Sequence, residues 1–152
     1  MKKTSYQKFS GMMMVSFIIM YAVMFLNVDQ LDHVMLSPTR TYMTLLMVAP
    51  MAISMMLFMW PMYENKKVNM AIVAGAVLVF IGSLYGLRKQ VMIEDVAYMK
   101  AMIPHHSSAI MVSQQATFKD PETKQLSLDI IEAQKREIEQ MKKIIQRLEN
   151  AD

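Results

Sequence analysis

Charged positions are distributed unevenly along this chain of 152 residues. Three runs without any charged residue cover residues 9–28, 42–62 and 68–87. A helix needs about 20 apolar residues to cross the roughly 30 Å hydrocarbon core of a bilayer. The pattern therefore predicts an all-α protein in which residues 1–89 form a membrane domain of three transmembrane helices.

The first run has a second interpretation, because Lys2 and Lys3 precede it as they would precede the apolar part of a signal peptide. Its apolar stretch is long for a signal peptide, and no small-residue cleavage site follows it. We therefore expect a retained helix. Pro50 lies in the middle of the second run and is expected to bend that helix, because proline removes one backbone donor.

Basic residues in the short loops predict the orientation in the membrane. The N-terminus and the loop 63–67 carry two or three lysines each, whereas the loop 27–41 carries only Arg40. Cytoplasmic loops are enriched in lysine and arginine. The N-terminus is therefore predicted to be cytoplasmic and the C-terminal region extracytoplasmic, in a multi-pass protein of the cell (inner) membrane. Arg88 and Lys89, at the end of the third run, oppose this orientation.

Residues 90–152 have a helical period and are predicted to form an antiparallel hairpin. Asp120 and Pro121 suit the cap and first position of a second helix that extends to about Glu149. Two amphipathic helices cannot bury both apolar stripes, so we expect a homodimeric four-helix bundle or docking on another subunit. Gly82 and Gly86 form a G-x-x-x-G motif that suits helix pairing, although packing within one subunit explains it equally well.

The amino-acid composition excludes several kinds of functional site. The chain has 20 methionines and no cysteine, which excludes disulfides, thiolate metal sites and cysteine nucleophiles. The net charge of +3 comes from scattered residues, unlike the basic patch of a nucleic-acid-binding protein. No serine, threonine or acid lies in an obvious nucleophile arrangement with a histidine, so we do not expect an enzyme.

Two adjacent histidines lie among methionines in the first helix of the hairpin, and hairpin geometry places more donors opposite them. Thioethers with imidazoles suit copper, above all Cu(I), whereas zinc gains little from methionine. Histidines that cap or stabilise a helix through satisfied hydrogen bonds are the alternative. The candidate ligands are His105, His106, Met102, Met141 and Met99, with Glu137 and Met111 as weaker ones.

The same segment resembles the family catalogued as domain of unknown function 305. The resemblance rests on a Met-Ile-x-His-His-x-x-Ala run at residues 102–109 and an Ile-Ile-x-x-Gln-x-x-Glu-Ile-x-x-Met run at residues 130–141. It implies a ferritin-like helical bundle, often exported and associated with copper binding or copper tolerance. Many members have methionine where this chain has Val112, and larger members carry two such hairpins.

The second uncharged run contains methionines at four-residue steps, at positions 43, 47, 51, 55 and 59. These methionines form either a ladder of thioethers that conducts Cu(I) or ordinary apolar packing. We favour apolar packing, because methionine packs well in lipid and between helices. In the loop before this run, His33 is expected to be a surface residue. The sequence thus predicts a membrane-anchored copper-binding protein for copper handling or stress protection. The alternatives are an interaction protein whose hairpin only oligomerises or docks a partner, and then a Cu(I)-conducting membrane protein.

Overall fold

The computed structural model describes residues 2–150, and this described part is helical without any strand. The all-α class predicted from the sequence is therefore confirmed. Short 3₁₀ turns at Leu31–His33 and Trp60–Met62 interrupt the connections. The five α-helices are α1 (Lys2–Val23), α2 (Pro38–Phe58), α3 (Lys66–Lys89), α4 (Asp95–Gln115) and α5 (Pro121–Glu149).

The chain divides into two compact units. Residues 2–23 and 39–92 form the first unit, which contains α1, α2 and α3. Residues 24–38 and 93–150 form the second unit, which contains α4 and α5. The connection between α1 and α2 therefore belongs to the same unit as the C-terminal hairpin.

Among the described residues, two helices rather than three are long and apolar enough to cross a membrane, namely α2 and α3. The predicted span at residues 9–28 is wrong in its extent, because α1 ends at Val23 and a turn follows. Only about 15 residues of α1 follow Lys8, and at 1.5 Å per residue they extend roughly 22 Å. The first turns of α1, up to Lys8, are rich in polar residues. These residues lower the mean hydropathy of the helix.

Polar side chains in the first unit satisfy one another at one end of the helices. The side chain of Asn69 is fully buried. Its Oδ1 accepts a hydrogen bond from the Tyr6 hydroxyl at 2.8 Å, and its Nδ2 donates to the backbone oxygen of Tyr63 at 3.0 Å. Buried amides need such partners, because an unpaired one costs about 1–3 kcal/mol. Next to this network, Phe9 and Met56 belong to the apolar cluster of the unit.

The two glycines of the G-x-x-x-G motif have different surroundings. A Cβ atom on Gly86 would lie 2.8 Å from Cε1 of Tyr42, whereas one on Gly82 would meet nothing within 4 Å. The Tyr42 hydroxyl donates to the backbone oxygen of Val91 at 3.0 Å, which fixes the ring over Gly86. Gly86 is therefore used for packing of α2 against α3 within one chain.

In the second unit, α4 and α5 form an antiparallel pair. Near the turn, the Ser127 hydroxyl donates to the backbone oxygen of Ser113 at 3.3 Å. At the opposite end, Nζ of Lys100 donates to Oε1 of Glu149 at 2.6 Å. Between these two points lies an apolar core of Met99, Ile103, Ile110, Ile138 and Ile145. Both helices thus direct their apolar stripes toward a shared seam.

The N-terminus of α5 starts at the residue that the sequence indicates. Oδ2 of Asp120 accepts hydrogen bonds from the backbone N–H of Thr123 at 2.6 Å and from its hydroxyl at 2.8 Å. The backbone hydrogen bond, followed by the hydroxyl, lowers the pKa of Asp120. Pro121 occupies the first helical position, where no backbone donor is needed.

The segment before α2 packs against this hairpin, which the sequence does not indicate. We define the strap as residues 27–35. His33 of the strap is only 4% exposed, so the expectation of a surface histidine is wrong. Met35 packs against the apolar core of α4 and α5. The apolar stripes of the hairpin are expected from the sequence to need a second copy of the chain or another subunit. Part of this apolar surface is instead covered by the strap of the same chain.

Alanine substitutions at the two glycines of α3 should have opposite effects on stability. Gly86→Ala should destabilise the full chain by about 1–3 kcal/mol, because its Cβ collides with the Tyr42 ring and overpacking strains the contact. Gly82→Ala should be neutral or stabilise by about 0.5–1 kcal/mol, since alanine is the better helix former. Thermal unfolding of both variants in the same detergent measures the difference. Equal effects would contradict the assignment of Gly86 to the α2–α3 contact.

Candidate metal centre

The two adjacent histidines of α4 lie in different environments. His106 is 8% exposed, whereas His105 is exposed to solvent. Their ring centroids are 6.0 Å apart and the ring planes make an angle of 69°. Successive helical residues are about 100° apart around the axis, so burial of one ring in the seam turns the other outward.

Both ring nitrogens of His106 have acceptor partners. Nδ1 lies 2.9 Å from the backbone oxygen of Met102, and Nε2 lies 2.8 Å from Oε2 of Glu137. A backbone carbonyl and an ionised carboxylate only accept hydrogen bonds. The backbone oxygen of Met102 and the Glu137 carboxylate therefore hold the ring in one orientation. Coordination through either nitrogen requires movement of the partner on that nitrogen.

A cavity of about 610 Å³ lies along the seam between α4 and α5. It brings together five of the seven residues predicted from the sequence. His105 and Met111 are not part of its lining. The five predicted residues that line it are Met99, Met102, His106, Glu137 and Met141.

Further polar residues lie at or near this cavity. Asp95 lies at the N-terminal end of α4 and Arg147 in the last turn of α5. Gln134 is one helical turn before Glu137, and its Oε1 is buried without a hydrogen-bond partner among the described residues. A buried acceptor of this kind is costly in free energy.

The donors at this cavity are suited to a soft metal ion. No group of three or more histidine, cysteine, aspartate or glutamate side chains with metal-binding geometry exists in residues 2–150, so the ligand sets typical of structural zinc are absent from this part. The cavity instead collects three thioethers and one imidazole. This set fits Cu(I), because thioether sulfur prefers soft monovalent copper over zinc, magnesium or calcium.

The strap and the cavity occupy opposite flanks of the α4–α5 seam. On α4, Ser107 faces the strap, whereas His106 lines the cavity. On α5, Nζ of Lys142 donates to Oδ2 of Asp32 in the strap at 2.6 Å, whereas Met141 lines the cavity. Neighbouring positions on each helix thus separate the two flanks by the usual rotation of about 100°. The cavity flank is not covered by the strap.

Comparison with known proteins identifies the family. The sequence profile of the domain of unknown function DUF305 matches residues 84–151. The chain is 34% identical over 137 residues to an uncharacterized protein, L153, of Acanthamoeba polyphaga mimivirus, and this alignment covers 88% of each chain. The chain belongs to the DUF305 family. The similarity to the viral protein is longer than the DUF305 match, so it includes residues before position 84. No solved structure matches the chain.

The two histidines should contribute differently to stability. His106→Ala should lower the free energy of unfolding by about 1–3 kcal/mol, because it removes a buried ring and two hydrogen bonds. His105→Ala should change the free energy by less than about 0.5 kcal/mol, as expected for an exposed side chain. Denaturant unfolding of the full chain in detergent, followed by helical circular dichroism, tests both. A larger loss for His105→Ala would contradict the orientation of the two rings.

Proposed function

We propose that this protein is a membrane-anchored metal-binding protein, most suited to Cu(I), that acts in copper handling or protection against copper stress. The observation that carries the proposal is the convergence of three thioethers with the His106 imidazole in one cavity. The resemblance of the histidine segment to a copper-associated family supports the same function.

The residues of the cavity have distinct roles in this proposal. Met99 and Met102 reach the cavity from one face of α4, and Met141 approaches from α5. His106 provides one ring nitrogen when the hydrogen-bond partner of that nitrogen moves aside, and Glu137 orients the ring through Nε2 in the metal-free site. When bound, a copper ion in this soft environment would be kept in the monovalent state. His105 and Met111 lie outside the cavity lining and are the weaker candidates.

The chain path supports a proposal for the location of the site relative to the membrane. The strap precedes α2 and the hairpin follows α3, and both belong to one unit. We infer that α2 and α3 cross the membrane as a pair, so that the chain returns to the side it left. Lys66 and Lys67 at the intervening loop favour the cytoplasm. The metal site would then be extracytoplasmic, whether or not α1 also crosses.

Loss of the cavity thioethers should weaken Cu(I) binding without loss of the fold. Leucine replaces methionine at nearly constant volume, so Met102→Leu/Met141→Leu should retain stability. We expect the double variant to bind Cu(I) at least about tenfold more weakly, which corresponds to about 1.4 kcal/mol. The measurement is a Cu(I) titration of the full chain in detergent against a chromophoric chelator under anaerobic conditions.

The matched controls are variants outside the cavity. Met111→Leu and His105→Ala should leave the Cu(I) affinity within about twofold, whereas His106→Ala should reduce it. Equal affinity for the wild type and the Met102→Leu/Met141→Leu variant would reject the cavity as the copper site. A wild-type protein that is folded and binds no Cu(I) would reject the proposed function and favour an interaction protein.

Association of two copies is the second candidate function, and a specific feature favours it. Tyr98 lies on the cavity flank and is 52% exposed, and the strap covers the other flank. Asp95 and Arg147 line the same cavity, and two copies related by a two-fold axis could pair these opposite charges. A four-helix bundle formed in this way would enclose the two cavities at its interface.

Tyr98→Lys should weaken this association, because a charge in the centre of the flank would have to be buried. Gln115→Lys, at the exposed C-terminal end of α4, is the matched control with the same added charge. Sedimentation of the full chain in detergent should give a dimer for the wild type and the control, and a monomer for Tyr98→Lys. A monomeric wild type would reject the dimer, and a dimeric Tyr98→Lys variant would place its interface elsewhere.

A further inference from the structure

The strap is attached to the hairpin by a group of polar contacts that cross long distances in the sequence. The backbone N–H of Asp29 donates to Oγ of Ser107 at 2.7 Å, and the side chain of Asn27 donates to Oγ of Ser108 at 2.7 Å. Nδ1 of His33 lies 2.8 Å from the same Ser107 oxygen. The three contacts converge on two serines that directly follow the histidine pair.

Ser107 is the centre of this attachment. It is fully buried, and its hydroxyl has one proton and two acceptor sites. Because the Asp29 N–H occupies one acceptor site, the hydroxyl proton is free to be donated to Nδ1 of His33 when that nitrogen is unprotonated. In this tautomer Nε2 carries the proton, and it lies 3.8 Å from Oδ1 of Asp32. The neutral ring thus gives the Ser107 hydroxyl proton an acceptor.

Protonation of His33 removes this arrangement. Nδ1 would then carry a proton and could only donate to the second acceptor site of the Ser107 oxygen. The Ser107 hydroxyl proton would lose Nδ1 as its acceptor in a site with no access to solvent. An imidazolium that is only 4% exposed would also lose hydration. Both effects oppose the attached state of the strap at acidic pH.

The charged groups around His33 come from two elements. Lys142 and Glu139 face it from α5, and Asp29 and Asp32 face it from its own segment, whereas α4 contributes the uncharged Ser107. Burial, followed by the positive charge of Lys142, lowers the pKa of His33, and the three carboxylates oppose this shift without reversing it.

We propose that the strap is a pH-sensitive latch on α4, closed by the neutral His33–Ser107 hydrogen bond and opened when His33 is protonated. The latch acts on Ser107, the residue that follows His106, so its opening frees the flank of α4 opposite the cavity. This inference does not depend on metal binding.

The pH range of the latch follows from the direction of the shift. Docking lowers the pKa of His33 below its ordinary value of about 6.5. The docked strap is therefore fully favoured above about pH 6.5, and this contribution is lost as the pH falls through the lower pKa of the docked state. An acidic extracytoplasmic medium would open the latch, whereas a neutral medium would keep it closed.

The absence of cysteine from the chain allows a direct test with a single introduced thiol. In Met35→Cys the thiol should be shielded by the hairpin while the strap is docked, because Met35 packs against the hairpin core. The Gln115→Cys variant has an exposed thiol and corrects for the intrinsic pH dependence of the reagent. Thiol labelling of the full chain in detergent, normalised to this control, should rise about threefold or more between pH 7.5 and pH 5.5.

His33→Asn in the Met35→Cys background separates the charge of His33 from other acidic groups. Asparagine offers Ser107 a hydrogen-bond partner that does not titrate, so normalised labelling should be low at both pH values. Labelling that is high at both values still supports His33 as the anchor. Labelling that rises with acid in His33→Asn would assign the effect to another group and overturn the proposal.

A second measurement reads the titration of His33 itself. The imidazole signals of the full chain, assigned by comparison with His33→Asn, should give a midpoint below 6.5. A midpoint at or above 6.5, or normalised labelling of the parent Met35→Cys chain that is flat with pH, would overturn the latch. Neither result would bear on Cu(I) binding, which is measured separately at the cavity.

Discussion

The apolar seam between α4 and α5 is the contact on which the rest of the second unit depends. Ile103 and Ile110 of one helix and Ile138 and Ile145 of the other are almost fully buried. Neither helix can bury its stripe alone, so the two become stable only as a pair. Once the seam forms, the rotation of each helix about its own axis is fixed. Every side chain beside the seam is then assigned to one of two flanks.

These flanks explain how a small unit carries two different features. On one flank the strap docks through Ser107 and Lys142, and on the other three methionines and His106 line one cavity. The strap supplies apolar and polar cover that a two-helix unit lacks, since small domains bury too little surface on their own. The second flank keeps an open cavity, which suits either a ligand or a second copy. Structural cover and binding chemistry therefore do not compete for the same surface.

Local chemistry made several features of this protein predictable. Asp120 and Pro121 define the start of α5, because a cap and its first residue act within one turn. The spacing of Met102 and His106 predicts a shared face of α4, since residues four apart are neighbours on a helix. The extent of the predicted span at residues 9–28 was wrong, because it was inferred from the absence of charge and not from local signals at the ends of the helix. The absence of charge continues past Val23, but the helix does not, and hydropathy alone does not register where a helix ends.

The sequence by itself determined the helical class, the bounds of α5 and the kinds of donor available, namely thioether and imidazole without thiolate. These follow from periodicity, caps and composition, which are properties of neighbouring residues. Only the tertiary structure decided that His106 enters the cavity while His105 faces solvent, and that His33 is buried against Ser107. The partners His33 and Ser107 are 74 positions apart. A contact between residues so far apart in the sequence forms only after the α4–α5 seam has oriented the serine. No local sequence pattern therefore predicts it.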